Sequence, residues 1–150
     1  MCPDQQRLLI GFRSPLHEGR AIIASIENPA ALFDDDAPPR LAANLSELDL
    51  GGHGIRGLSY VPSLAAYLVV SGPMSREGGE FSLWLWNGQP NGSARRLTIP
   101  GLPGLARAEG VCPADIGAGP GIIVVSDDGS RREGRPASFL LLGIDHLRFD

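Results

Sequence analysis

Residues 8–15 read LLIGFRSP, residues 67–74 read YLVVSGPM and residues 122–129 read IIVVSDDG. Each is a short apolar run that breaks on small, polar or proline residues. After each comes a Gly-containing turn and a second apolar run: AIIASIEN at 21–28, FSLWLWNG at 81–88 and SFLLLGID at 138–145. Two of the three are also preceded by a strand-like stretch, GIRGLSYVP at 54–62 and ARAEGVCPAD at 106–115. Gly57 and Gly110 are 53 residues apart, and Val70 and Val125 are 55 apart. A period of that size, with three or four strands per unit, is what a kelch-sized propeller blade requires. The prediction is an all-β fold of antiparallel, propeller-like blades, about two and a half of them, with units at 7–50, 51–104 and 105–150.

The same reading extends outward. Strands are expected at 7–13, 20–27, 55–61, 67–71, 81–86, 95–99, 108–112, 122–126 and 139–144, separated by turn clusters such as SPLHEG and DDGSRREG. Helical periodicity is weak, and 42–50 (AANLSELDL) is the one stretch read as a short helical turn. One blade cannot bury both faces alone; stacked blades share a core, and their innermost strands line a central channel. The stretches around Gly57 and Gly110 are assigned to innermost strands, where backbone must approach backbone. The first unit then lacks its innermost strand and the last a clear outermost one. Propellers close with about 4–8 blades, so an incomplete propeller is expected. Its partners would be the remaining blades of a longer chain, or further copies meeting through open edges.

Composition sets limits on function. The chain of 150 residues is 43% hydrophobic and 20% charged, the balance of a globular domain. Its 20 glycines and 13 prolines fall between apolar runs and read as turns. A net charge of −4 gives no electrostatic reason to expect nucleic acid or an anionic membrane as partner. No run approaches the roughly 18 apolar residues of a membrane helix, and the first residues do not form a secretion signal, so with Met1 as the true start the expectation is cytoplasmic. Cys2 and Cys112 lack zinc spacing, and Cys112 is expected as a small core residue.

The segments LLIGFRSPLHEGRAIIASIE, GGHGIRGL, YLVVSGP with FSLWLWNG, and AEGV with VVSDDG, taken in order, resemble a family of bacterial propeller-like proteins of unknown function. The likeness spans about 8–144 and corresponds to the C-terminal half of a full-length member; His53 stands where a basic residue such as arginine is expected. It implies a propeller and no particular activity. The EGV and SDDG pieces are more distantly similar to calcium-dependent lactonase and phytase-like propellers.

The residues with chemical potential are few. Glu109, between Ala108 and Gly110 on an innermost strand, would point into the channel, as a Ca²⁺ ligand or as the partner of Arg56. Aligning Gly57 with Gly110 puts Arg56 level with Glu109, and one carboxylate per blade cannot specify a metal, so the ion pair is the simpler reading. Asp127 follows an apolar strand where loops form a channel rim, which makes it a second metal or ligand contact. Asp128-Gly129 reads as a type I′ hairpin turn. His53 sits among glycines that let a ligand approach the backbone. His17 and His146 read as surface residues. Asp34, Asp35 and Asp36 read as an exposed loop, and Trp84 and Trp86, on one face of a strand, as packing between blades. No nucleophile motif, Walker loop or dinucleotide glycine loop is present. The expectation is a ligand-binding or interaction module for a small molecule, with a polar site at His53, Arg56, Glu109 and Asp127. The alternatives are a Ca²⁺-dependent hydrolase using Glu109 and Asp127, and a fragment without independent activity.

Overall fold

A computed structural model describes residues 6–74, 79–90, 92–102, 105, 107–117 and 119–150; Met1, Cys2 and the turn at 75–78 lie outside them. The fold is all-β, built from three antiparallel sheets, none of them closed on itself. The first contains β1 (Leu8–Gly11), β2 (Ala21–Ile26) and β3 (Ser46–Leu48). The middle sheet contains β4 (Gly54–Val61), β5 (Ala66–Gly72), β6 (Ser82–Trp86) and β7 (Arg95–Thr98). The third contains β8 (Ala108–Asp115), β9 (Pro120–Ser126) and β10 (Phe139–Gly143). The last strand, β11 (Arg148–Phe149), leaves the third unit and pairs with β7 at the outer edge of the middle sheet. All nine expected strands form, and the first sheet does lack the strand that β4 and β8 supply to the other two.

Packing follows from alternation along the strands. Tyr67, Val69 and Trp86 turn one face of the middle sheet toward Ala21, Ile23 and Leu48 of the first sheet. Leu68, Val70, Leu83 and Leu97 turn the other toward Val111, Ile122, Val124 and Leu142 of the third. The middle sheet therefore has a core on each side, and all seven residues of β5 are buried. Trp84 and Trp86 share the core with the first sheet, as expected. Their indole N–H groups donate to Ser71 Oγ (2.8 Å) and the Gln89 carbonyl (3.0 Å).

Two strands agree in register as well. β4 and β8 each carry a bulge at the same point. Ile55 pairs with Ser71 and Gly57 with Val70, skipping Arg56; Ala108 pairs with Ser126 and Gly110 with Val125, skipping Glu109. At the seam between these strands a Cβ on Gly57 would lie 3.0 Å from the Gly110 Cα, so glycine permits the close approach expected there. Across the other seam the Ile55 amide donates to the Phe12 carbonyl (2.9 Å). A Cβ on Gly54 would sit 1.8 Å from the Arg13 carbonyl oxygen, which no side chain can satisfy.

Three expectations are corrected. The stretch 42–50 is not helical: Leu48 and Leu50 are buried and alternate with Glu47 and Asp49, and Leu48 pairs with Ala21 as part of β3. The short helix α1 is instead Pro29–Asp34, started by a proline whose missing N–H costs nothing at a first turn, and ended by exposed Asp35 and Asp36. Cys112 is exposed, because the alternation after the bulge gives the buried place to Val111. Asp128-Gly129 is not a type I′ turn, since neither residue has positive φ. The chain reverses further on, around the bridge between Ser130 and Arg135. Gly129 serves a different need: a Cβ there would meet the Ala137 backbone nitrogen at 2.9 Å.

Candidate functional site

The ends of β1, β5 and β9 and the beginnings of β4 and β8 lie together at one edge of the sheets, which follows from the antiparallel pairings and the Ile55–Phe12 hydrogen bond. The charged residues Arg13, Arg56, Glu109 and Asp127 are all contributed by this edge. Arg56 and Glu109 occupy the equivalent bulges of the two inner strands. A bulge releases its residue from the ladder and re-aims the side chain, so the repeat delivers a cation and an anion to either side of one seam.

Arg56 Nη1 donates to Glu109 Oε1 at 2.6 Å. The Arg56 side chain is only 5% exposed, whereas that of Glu109 is 38% exposed. Arg56 Nη2 donates to the Pro73 carbonyl, and the guanidinium lies over the Phe81 ring, 5.5 Å from its centroid. Gly72 makes room for this stack: a Cβ there would meet Phe81 at 2.7 Å and Arg56 Cγ at 3.3 Å. Arg56 Nε is buried and has no hydrogen-bond acceptor among the described residues. Burial lowers the Arg56 pKa, Glu109 opposes that change, and nearby Arg13 adds to it. The ion pair is therefore desolvated on the arginine side and open to water on the glutamate side.

Asp127 is exposed, and its amide donates to the Arg107 carbonyl (2.9 Å), which holds it beside the start of β8, two residues before Glu109 in that strand's direction. Asp128 turns away from the site. Its carboxylate accepts from the Ser138 amide (2.7 Å) and hydroxyl (2.6 Å), and these bonds hold its pKa below the ordinary carboxylate value. His53 is half-buried between the positive-φ glycines Gly51 and Gly52 and the strand start at Gly54. His17 pairs with Glu47 (2.7 Å) on the surface, and His146 with its neighbour Asp145 (3.1 Å).

Sequence reasoning thus located the Arg56–Glu109 pair but missed four residues around it, Arg13, Gly72, Pro73 and Phe81. Arg13 aligns with Gly72 and Asp127 in the repeat, and its equivalence to Asp127 was the available signal. Gly72 was legible as a close-approach glycine. Phe81 and the Pro73 carbonyl carried no signal, because their roles depend on how the hairpin returns. A cavity of about 80 Å³ lies behind, lined by Phe81, Leu83, Arg96, Leu97 and Leu105. Among the described residues no group of three or more His, Cys, Asp or Glu is placed to hold a metal ion, and no helix is long and apolar enough to cross a membrane.

No family model matches the chain, and no curated protein or solved structure does.

Proposed function

We propose that the three sheets are successive blades of a propeller-like fold and that the chain is a ligand-binding module, with its site at the edge carrying His53, Arg56, Glu109 and Asp127. The observation that carries this reading is the state of Arg56. A guanidinium 5% exposed, tied to a neighbouring sheet and retaining a buried Nε–H without an acceptor among the described residues, is costly to keep for packing alone. Paired with the half-exposed carboxylate of Glu109, at the same sheet end as exposed Asp127, it suits a small polar molecule that both accepts and donates hydrogen bonds.

The calcium-dependent hydrolase reading asks more of the same residues. Ca²⁺ takes about 6–8 oxygens, and Glu109 would have to leave Arg56 to supply one. The donors present, two carboxylates with one already paired, fall short of that set.

Titration calorimetry and thermal shift test the two readings together, using Ca²⁺ and a panel of amino acids, dicarboxylates and sugars. The expected result is a shift with a polar organic ligand that is lost in Arg56→Met and kept in Arg148→Met, remote from the site. A panel hit indifferent to both Arg56→Met and Glu109→Gln would refute this site. Ca²⁺ binding abolished by Glu109→Gln would replace the reading with the hydrolase.

A further inference from the structure

The third sheet ends on an open edge. Its order is β10-β9-β8, so β10 pairs on one side only, with β9. The Ser126 amide donates to the Ser138 carbonyl, which makes 126 and 138 a pair that bonds across this ladder. Along an antiparallel ladder, residues that bond across it alternate with residues that bond the other way. Leu140 and Leu142 therefore bond to β9, and the amides and carbonyls of Phe139 and Leu141 point outward. Among the described residues no other backbone segment bonds to these outward groups. The side chains are as open as the backbone, Phe139 being 65% exposed and Leu141 48%.

In the middle sheet the equivalent strand, β6, is flanked on its outer side by β7. Among the described residues the third sheet has no such fourth strand, because the chain after β10 crosses over and adds β11 to β7. The other two outer edges are guarded as natural edges usually are, by shortness and charge. β3 has three residues and carries Glu47, and β11 has two and carries Arg148. β10 runs Phe-Leu-Leu-Leu-Gly, with no charge, proline or bulge. We propose that this edge pairs antiparallel with β10 of a second copy, joining the two third sheets into one across a twofold axis. A second copy brings a strand of the same length and phase, and its own open groups are satisfied in the same contact. The register that fits sets Phe139 opposite Leu141 of the other copy. The outward groups of both residues then bond in each chain, and the two exposed side chains form an apolar cross-strand pair. Such a contact is isologous and closes at two copies. It depends on neither the blade reading nor the ligand site.

Light scattering on the purified chain over a range of concentrations reads the outcome as mass, a single copy being 15.9 kDa. The expected mass rises to twice that value. Leu141→Pro removes an outward N–H and leaves the bonds to β9 in place, so it should hold the chain at a single copy. Phe139→Lys should do the same by placing a charge on the edge. Hydrogen exchange locates the contact. The Phe139 and Leu141 amides should exchange several-fold more slowly as concentration rises, while those of Leu140 and Leu142, already bonded to β9, should change much less. In a Cys2→Ser, Cys112→Ser background, a Phe139→Cys chain mixed with a Leu141→Cys chain should form a disulfide between unlike chains under mild oxidation. Residues opposite each other in such a pair have Cα atoms about 5.5 Å apart, within disulfide range. Far-ultraviolet dichroism and the fluorescence of Trp84 and Trp86, which lie in the other core, check that the variants remain folded.

A chain that stays at one copy at every concentration would overturn the pairing. So would a two-copy species in which the Phe139 and Leu141 amides stay fast, since the contact would then lie away from this edge. Masses that climb without limit would refute the closed twofold. Disulfides formed as readily within either single-cysteine chain alone would refute the pairing of Phe139 with Leu141.

Discussion

The hairpins β4–β5 and β8–β9 share a register, a bulge and a run of β-branched residues, yet every residue of β5 is buried while β9 leaves Val125 exposed. The sequences differ little in hydrophobicity at these positions. Burial here is decided by the number of neighbouring sheets, two for the middle sheet and one for the third. The bulge residues carry opposite charges, Arg56 in one and Glu109 in the other, and that difference joins the two units.

The largest contrast is expected at the paired glycines. Alanine at Gly57 would put its Cβ 3.0 Å from Gly110 Cα and 3.2 Å from Val111 N, so two backbones must separate. Overpacking of this kind costs about 1–3 kcal/mol. Alanine at Gly110 would meet only Val125 Cγ2, at 3.0 Å, and that half-exposed side chain has room to turn away. Urea unfolding should show a clear loss for Gly57→Ala and under about 1 kcal/mol for Gly110→Ala. Equal losses would mean that the two inner strands are not differently packed.

Next come the valines. Val70→Ala removes methyl groups from a residue 0% exposed and should cost about 2 kcal/mol. Val125→Ala, at 45% exposure, should stay within about 0.5 kcal/mol. Equal losses would sever the link between burial and a missing neighbour.

The ion pair gives a smaller and asymmetric effect. Glu109→Gln leaves a nearly dry guanidinium without its carboxylate and, with water reaching the glutamate side, should cost about 1 kcal/mol. Arg56→Met preserves much of the packing on Phe81 and leaves Glu109, already 38% exposed, free to turn to water. Its loss should be the lesser of the two. The reverse order would show that the arginine contributes chiefly by packing.

Much of this was legible because the repeat writes it twice. Aligning Gly57 with Gly110 placed Arg56 opposite Glu109 without any knowledge of the sheets, and alternation put Trp84 and Trp86 on one face of β6. What failed were features the repeat does not encode. β3 was hidden because Ser46–Leu48 is too short for its alternation to stand out from a helical spacing of leucines. Cys112 was misplaced because a bulge shifts the phase of everything after it, and no residue type marks a bulge in advance. Asp128-Gly129 looked like a hairpin turn from its composition alone. The loop from Ser126 to Phe139 is longer than a two-residue turn, and its Asp is used for a contact across it.

That contact yields the smallest expected effect and the last difference between the two hairpins. Pro73 and Asp128 are equivalent positions after Ser71 and Ser126. In the middle sheet the Pro73 carbonyl accepts from Arg56, a bond to a group that does not titrate near neutral pH. In the third sheet the Asp128 carboxylate accepts from the Ser138 amide and hydroxyl, which lowers its pKa from 3.8. A carboxyl whose folded pKa is depressed stabilises the fold above its unfolded value and loses that contribution as pH falls through the folded one. The difference in melting temperature between the parent and Asp128→Ala should therefore be small and constant near neutrality, then shrink below about pH 4. Over the same window the Ser138 amide should exchange faster, while the Val70 amide in the doubly covered strand should not respond. A difference that grows on acidification would assign the stabilisation to the protonated carboxyl, and the two loops would then be held by the same neutral chemistry.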